Sequence, residues 1–259
     1  MYKKKQNHND KSVTKEILFF VQRLKYDYDF CAKNILKIQD EYGDLINFGF
    51  NRPQKRLWKL ILKRLKEGKP IRLLVLKARQ MGFSTFFELL GYWFCSFRKN
   101  RNGLIVAHRK DAVANLFRKI KIAYKNVPDA LRPQHKISNR EELYFSMPDG
   151  SPGGLESRII IQSAENENLG ISETLHFIHC SEVDVWSEMG YDPEKRLGVL
   201  RQCLPELPGT FECLESTGRG ASYFKKEWDD EESLYDKIFV SWCAVDKYRI
   251  NINKNEYFE

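Results

Sequence analysis

The spacing of apolar and polar positions changes character along the chain. Between residues 12 and 42, Ile17, Phe20, Val21, Leu24, Tyr28, Cys31, Ile35 and Ile38 recur at intervals of three and four. That spacing predicts one or two helices packed on a main body. Residues 1–11 are polar and basic and read as a loose tail. After a break at 48–53, a second helical pattern runs from Gln54 to about Lys66, where Gly68 and Pro70 end it. From residue 71 the pattern alternates: an apolar strand at 71–76, a loop, an apolar helix at 84–97, a strand at 104–107, a helix at 109–124 and a proline-punctuated loop at 128–135. Strands that alternate with helices predict a mostly parallel central sheet flanked by helices, an α/β fold. Shorter strands follow near 142–146, 158–162, 175–180 and 210–215. The Gly/Pro-rich stretch 148–154 between the first two reads as a hairpin on the sheet margin.

At 259 residues, 42% of them hydrophobic, the chain suits one α/β domain with a small appendage. An excess of 43 Lys+Arg over 35 Asp+Glu gives +8, which permits a phosphate-polymer partner without requiring one. The six cysteines form no CxxC pair, and several sit in apolar runs, so neither disulfides nor zinc are expected. The apolar run 17–21 is too short for a signal or a membrane span, and a cytoplasmic location is expected.

Candidate chemistry begins at Lys77-Ala78-Arg79-Gln80-Met81-Gly82-Phe83-Ser84-Thr85, directly after the first strand of the alternating region. The ordinary phosphate-loop pattern has glycine first and lysine seventh; here Lys77 stands first and Phe83 seventh, while Gly82 and Ser84 keep their places. A turn that aims backbone N–H groups and a helix N-terminus at one point still cradles an anion. The side-chain cation must then come from Lys77 or Arg79, with Ser84 as the magnesium ligand and Thr85 as its neighbour. A second motif, 175–182, is an apolar strand ending in Ser181-Glu182. Glu182 stands where a base would orient water, and Ser181 is placed to hold a magnesium-bound water without adding charge. His176 and His179, three apart on a strand, point to opposite faces and are not expected to share an ion. A third strand, 211–215, runs into Ser216-Thr217-Gly218. Upstream, Gln54 follows Asn51-Arg52-Pro53, and its amide has the donor and acceptor needed to read adenine.

Taken together and in this order, these motifs resemble the ATPase domain of the terminase large subunit, the DNA-packaging motor of tailed bacteriophages. The likeness runs from about Phe48 to Arg249, and its end, 240–249, is similar to the stretch that leads toward a nuclease domain. The resemblance implies a P-loop NTPase fold with an additional catalytic-glutamate strand, and ATP and magnesium as cofactors. It implies catalytic roles for Glu182, Lys77 and Arg79, a nucleotide loop of Lys77 through Thr85 with Gln54, and metal positions at Ser84 and Ser181. Ser216 and Thr217 take the coupling positions. Double-stranded DNA, a portal protein and a small subunit are the implied partners, with a homo-oligomeric ring as the active form. The expected organisation is a tail and helical segment at 1–50, an ATPase core at 51–220 and a lid or linker at 221–259. The family's metal-dependent nuclease is not expected in this chain. Ile171 fills the place where the family often carries a trans-acting arginine, so Arg158, Arg140 or Arg219 would have to supply one. A helicase-like translocase and a non-catalytic basic DNA-binding module with a degenerate phosphate loop both fit part of the same pattern.

Overall fold

The run of β-branched and leucine residues at Ile71–Lys77 forms the strand β3 around which everything else is arranged, buried on both faces as a central parallel strand must be. In the computed structural model, which describes residues 3–171, 173–220, 222–245 and 248, β3 lies inside an eight-stranded sheet. Chain order before it is α1 (Lys3–Tyr26), α2 (Tyr28–Asn34), β1 (Lys37–Gln39), β2 (Leu45–Asn47) and α3 (Arg52–Lys66). After it come α4 (Phe83–Ser96), β4 (Asn102–Ala107), α5 (Lys110–Asn126), β5 (Ile137–Ser138), β6 (Glu142–Phe145), β7 (Ser157–Ser163) and β8 (Phe177–Ser181). The chain continues through α6 (Val183–Glu188), α7 (Pro193–Gln202), β9 (Phe211–Ser216), α8 (Tyr223–Asp229) and β10 (Asp236–Val240).

The sheet order is β10-β3-β9-β8-β4-β7-β6-β5. Strands β10 through β7 pair in parallel, and β6 and β5 close one margin antiparallel. Strand β9 therefore sits between the strand that leads into the phosphate loop and the strand that Glu182 follows, which is the arrangement of the additional-strand class. One hydrophobic layer holds α4 against the sheet through Phe83, Phe86, Phe87, Leu90 and Phe94. The other holds α6 and α7 through Trp186, Leu197 and Leu200. Tyr28 anchors α2 by donating its hydroxyl to the Phe86 carbonyl at 2.8 Å, within a cluster of Phe50, Trp58 and Trp93 rings.

Two expectations change. Residues read as a loose tail are helical from Lys3 onward, continuous with α1. Within the stretch read as helix up to residue 42, the chain instead turns into the β1–β2 hairpin, paired Lys37 to Asn47, although Ile38 continues the helical spacing: α2 ends at Asn34, and Gly43 takes a left-handed φ of 90° in the turn. The segment expected as a lid contains α8 and β10, and β10 is hydrogen-bonded to β3 along its whole length, so this part of the chain completes the sheet. Ala221, Asp246, Lys247 and Arg249, which fell within the lid and linking stretch, lie outside the described residues.

Candidate active site

Parallel strands deliver their C-terminal ends to one edge of the sheet, and three of the sequence motifs sit at such ends. Lys77 is the last residue of β3, Ser181 the last of β8 and Ser216 the last of β9. Between them and the start of α4 opens a cleft of about 600 Å³. Its walls include the loop from Arg79 to Thr85, Glu182 and Thr217, together with His108, Arg109, Lys119 and Arg219.

The loop is built as the pattern predicts. Gly82, at the N-cap of α4, has φ 74°, and a Cβ there would lie 2.9 Å from the Gln54 amide nitrogen, so only glycine fits the turn without strain. Gln80 also has a left-handed φ of 60°. Phe83, in the position lysine usually holds, packs its ring against Phe86 and Phe87 and is 1% exposed, which leaves its backbone as its contribution to the loop. Met81 is likewise buried; Arg79 is exposed at the cleft and Ala78 is half-buried, its N–H donated to the Val240 carbonyl at 3.0 Å. Thr85 accepts from the Lys119 ammonium at 3.1 Å, bringing a second cation from α5 to the loop.

Lys77 is 6% exposed and donates to Glu182 Oε1 at 2.7 Å, with Glu215 Oε2 at 3.9 Å. Burial disfavours its charge, but the two carboxylates outweigh burial and raise its pKa. Glu182 stands at the N-cap of α6 with φ 51°, a strained backbone for a residue with a side chain. Its other oxygen accepts from the Thr217 N–H at 3.2 Å and hydroxyl at 3.1 Å. The structure thus brings Lys77, Glu182 and Thr217 into one chain of polar contacts. Ser216 is buried below them, its hydroxyl accepting from the Asp184 N–H at 3.1 Å, and Asp184 in turn accepts from Phe224 at the start of α8.

Sequence reasoning missed the group at the centre. Glu215, fully buried on β9, accepts from the Ser84 hydroxyl at 2.5 Å and the Ser181 hydroxyl at 3.2 Å, and His179 Nε2 lies 3.3 Å away. Burial works against its ionisation, yet the Lys77 charge, His179 and the Ser84 hydroxyl hold its pKa down at about 2. No local signal marks it, since the same strand carries a second carboxylate, Glu212. Lys119 gave no signal, since a lysine on a polar helix is ordinarily solvated.

Gln54 differs from expectation. Its Oε1 accepts from the Asn51 N–H at 2.9 Å in a capping box, and its Nε2 donates to the Gly82 carbonyl at 2.9 Å. Both ends of the amide are engaged and the residue is 2% exposed, so here it fixes the loop to α3. Of the arginines weighed as fingers, Arg219 lines the cleft and pairs with Glu188 at 3.3 Å. Arg140 is exposed in the β5–β6 turn. Arg158 sits at the opposite, N-terminal end of β7, paired with Glu173 and Glu142. Ile171 is half exposed.

Sheet order, glycine-pinned loop and the acidic residue after β8 together define a P-loop NTPase fold of the additional-strand class. No family model matches the sequence, and no curated protein matches it either. Among solved structures, the large terminase ATPase domain of Thermus phage P74-26 is similar over 74% of this chain and 88% of its own, at 17% identity and a TM-score of 0.49. A mutant of that domain gives 73%, 86%, 16% and 0.48. A DEAD box protein from the hyperthermophile Methanococcus jannaschii is similar over 71% of this chain and 48% of its own, at 13% identity and a TM-score of 0.44.

Proposed function

We propose that this chain is a magnesium-dependent ATPase and the motor domain of a phage DNA-packaging terminase. The observation that carries the catalytic part is the contact series Lys77–Glu182–Thr217 at the head of the α4 cleft. The amides of the loop and the α4 N-terminus receive the phosphates. Lys77, ionised and held at the loop's base, moves from Glu182 to the phosphate oxygens when nucleotide enters, as its pair is a contact between two side chains that both face the cleft. Glu182, released from the lysine, is then free to orient water, while its bond to Thr217 links that event to the segment beyond β9. Arg79 adds charge from the cleft wall. The donors around Ser84 are hydroxyl and carboxylate oxygens, the hard ligands that suit magnesium, and Ser84 and Ser181 would hold it. Magnesium bound there supplies neutralisation of phosphate charge. Packaging of double-stranded DNA, with a portal, a small subunit and a ring of copies, rests on the sequence resemblance, and the basic charge of +8 is compatible with it.

Steady phosphate release from ATP and magnesium is expected of the parent. Lys77→Ala should lower it by about two to three decades, as loss of a preorganised charge does. Glu182→Gln should bind nucleotide and fail to turn it over. A parent that binds ATP without releasing phosphate would support a non-catalytic binding module instead. Displacement of a bound third strand from duplex DNA, without separation of the duplex, supports packaging over a helicase role.

A further inference from the structure

In phosphate-loop enzymes the loop hydroxyl that ligates magnesium is supported by an aspartate at the end of the neighbouring acidic strand. Here that position is Ser181, which brings no charge. The register of the sheet shows where the charge is. Ser181 of β8 is the direct cross-strand partner of Glu215 on β9, and Val75 of β3 flanks Glu215 on the other side. Parallel neighbours in register project to the same face, so the Glu215 carboxylate occupies the α4 side of the sheet beside the hydroxyl that replaces the aspartate.

Its contacts match that place. Glu215 Oε1 accepts from both Ser84 and Ser181, the two hydroxyls assigned to the metal. Its Oε2 is buried and has no hydrogen-bond partner, the nearest cation being Lys77 at 3.9 Å. A buried carboxylate oxygen left unpartnered is costly unless a further charge or donor is to meet it. Lys77 reaches both this carboxylate and Glu182, so when Lys77 turns to phosphate, Glu215 keeps the Ser84 and Ser181 hydroxyls and His179 on Oε1 while Oε2 loses its nearest cation.

We infer that Glu215 is the acidic residue of the magnesium site, supplied from β9 in place of the missing carboxylate on β8, positioning Ser84 and the metal's water. The inference rests on the nucleotide reading given above. It assigns Glu215 a positioning role: the carboxylate accepts the proton side of the Ser84 hydroxyl so that the oxygen lone pairs face the metal.

The test is the gain in affinity for a fluorescent ADP analogue when magnesium chloride replaces EDTA, measured for the parent, Glu215→Gln, and Glu215→Gln combined with Ser181→Asp. The parent should bind more tightly with magnesium. In Glu215→Gln the ratio of affinity with magnesium to affinity in EDTA should fall about 10- to 100-fold below the parent's, the effect of removing a group that supports a metal ligand. The double variant should recover it, because the charge returns one strand away. A full magnesium gain in Glu215→Gln overturns the inference while leaving the nucleotide reading intact. A parent that binds no nucleotide in either buffer overturns the nucleotide reading and this inference with it. Should Glu215→Gln not fold, Glu215→Asp keeps the charge and withdraws the oxygens by one methylene; a magnesium gain equal to the parent's would again reject the assignment.

Discussion

At the scale of single residues, the least accommodated group is Glu88 on α4. It is fully buried, with Lys119 of α5 at 3.3 Å, and Glu215 of β9 and Tyr28 of α2 also bear on it. Burial pushes its carboxyl up to about 8, against the pull of the Lys119 charge. The folded protein therefore holds a proton that the unfolded chain gives up above its ordinary value of 4.5. Stability from this group is complete below that value and is lost as pH rises through about 8. Glu88→Gln, which mimics the protonated acid, should flatten the decline across that window when urea midpoints are compared at its two ends. An equally steep decline in the variant would show that Glu88 is not its source. Residues such as Lys77 and Glu182 are legible in the sequence because each is a charge immediately at the end of an apolar strand. Glu215 and Glu88 are not, because nothing local distinguishes a carboxylate that the tertiary fold will bury from one it will leave in water.

At the scale of elements, α3 and the phosphate loop are joined through two side chains at the helix start, Asn51, whose amide donates to the Met81 carbonyl at 3.1 Å, and Gln54. Gln54 closes the capping box of α3 and holds the Gly82 carbonyl, so a helix end and a loop share one amide. Gln54→Ala loses both bonds and should cost about 1–3 kcal/mol at roughly 0.5–1.5 kcal/mol each. Nucleotide affinity should fall with it, since the turn at Gly82 loses its support. A urea midpoint and a nucleotide titration both equal to the parent's would reject the link. The alternation of strands and helices from residue 71 onward was legible because β3, β4, β7 and β8 each carry a run of apolar residues. Strand β10 was missed because it lies at the sheet edge: Phe239 is 65% exposed and the strand has only one buried end, so its sequence lacks the pattern of its neighbours. The β1–β2 hairpin was missed for a similar reason, being three residues long on each side and largely solvent-facing.

At the scale of the whole molecule, the proposed motor should depend on its copies. Turnover per molecule is expected to rise with protein concentration in the presence of duplex DNA, because an arginine donated by a neighbour is worth about 10³ to 10⁵ in rate. A rate per molecule that stays flat from dilute to concentrated solution would remove the ring from the proposal and leave the hydrolytic site. Sheet order carries a separate consequence, for the making of the protein. Strand β3, which bears Lys77, is hydrogen-bonded to β9 and β10 and to no other strand of the described sheet, and both of these are encoded after residue 210. During synthesis, β4 through β8 can already associate while β3 waits, an apolar strand with neither edge covered. A nascent chain therefore emerges with its most chemically committed strand exposed the longest, and the stretch from residue 71 to residue 77 is where a chaperone would have most to protect.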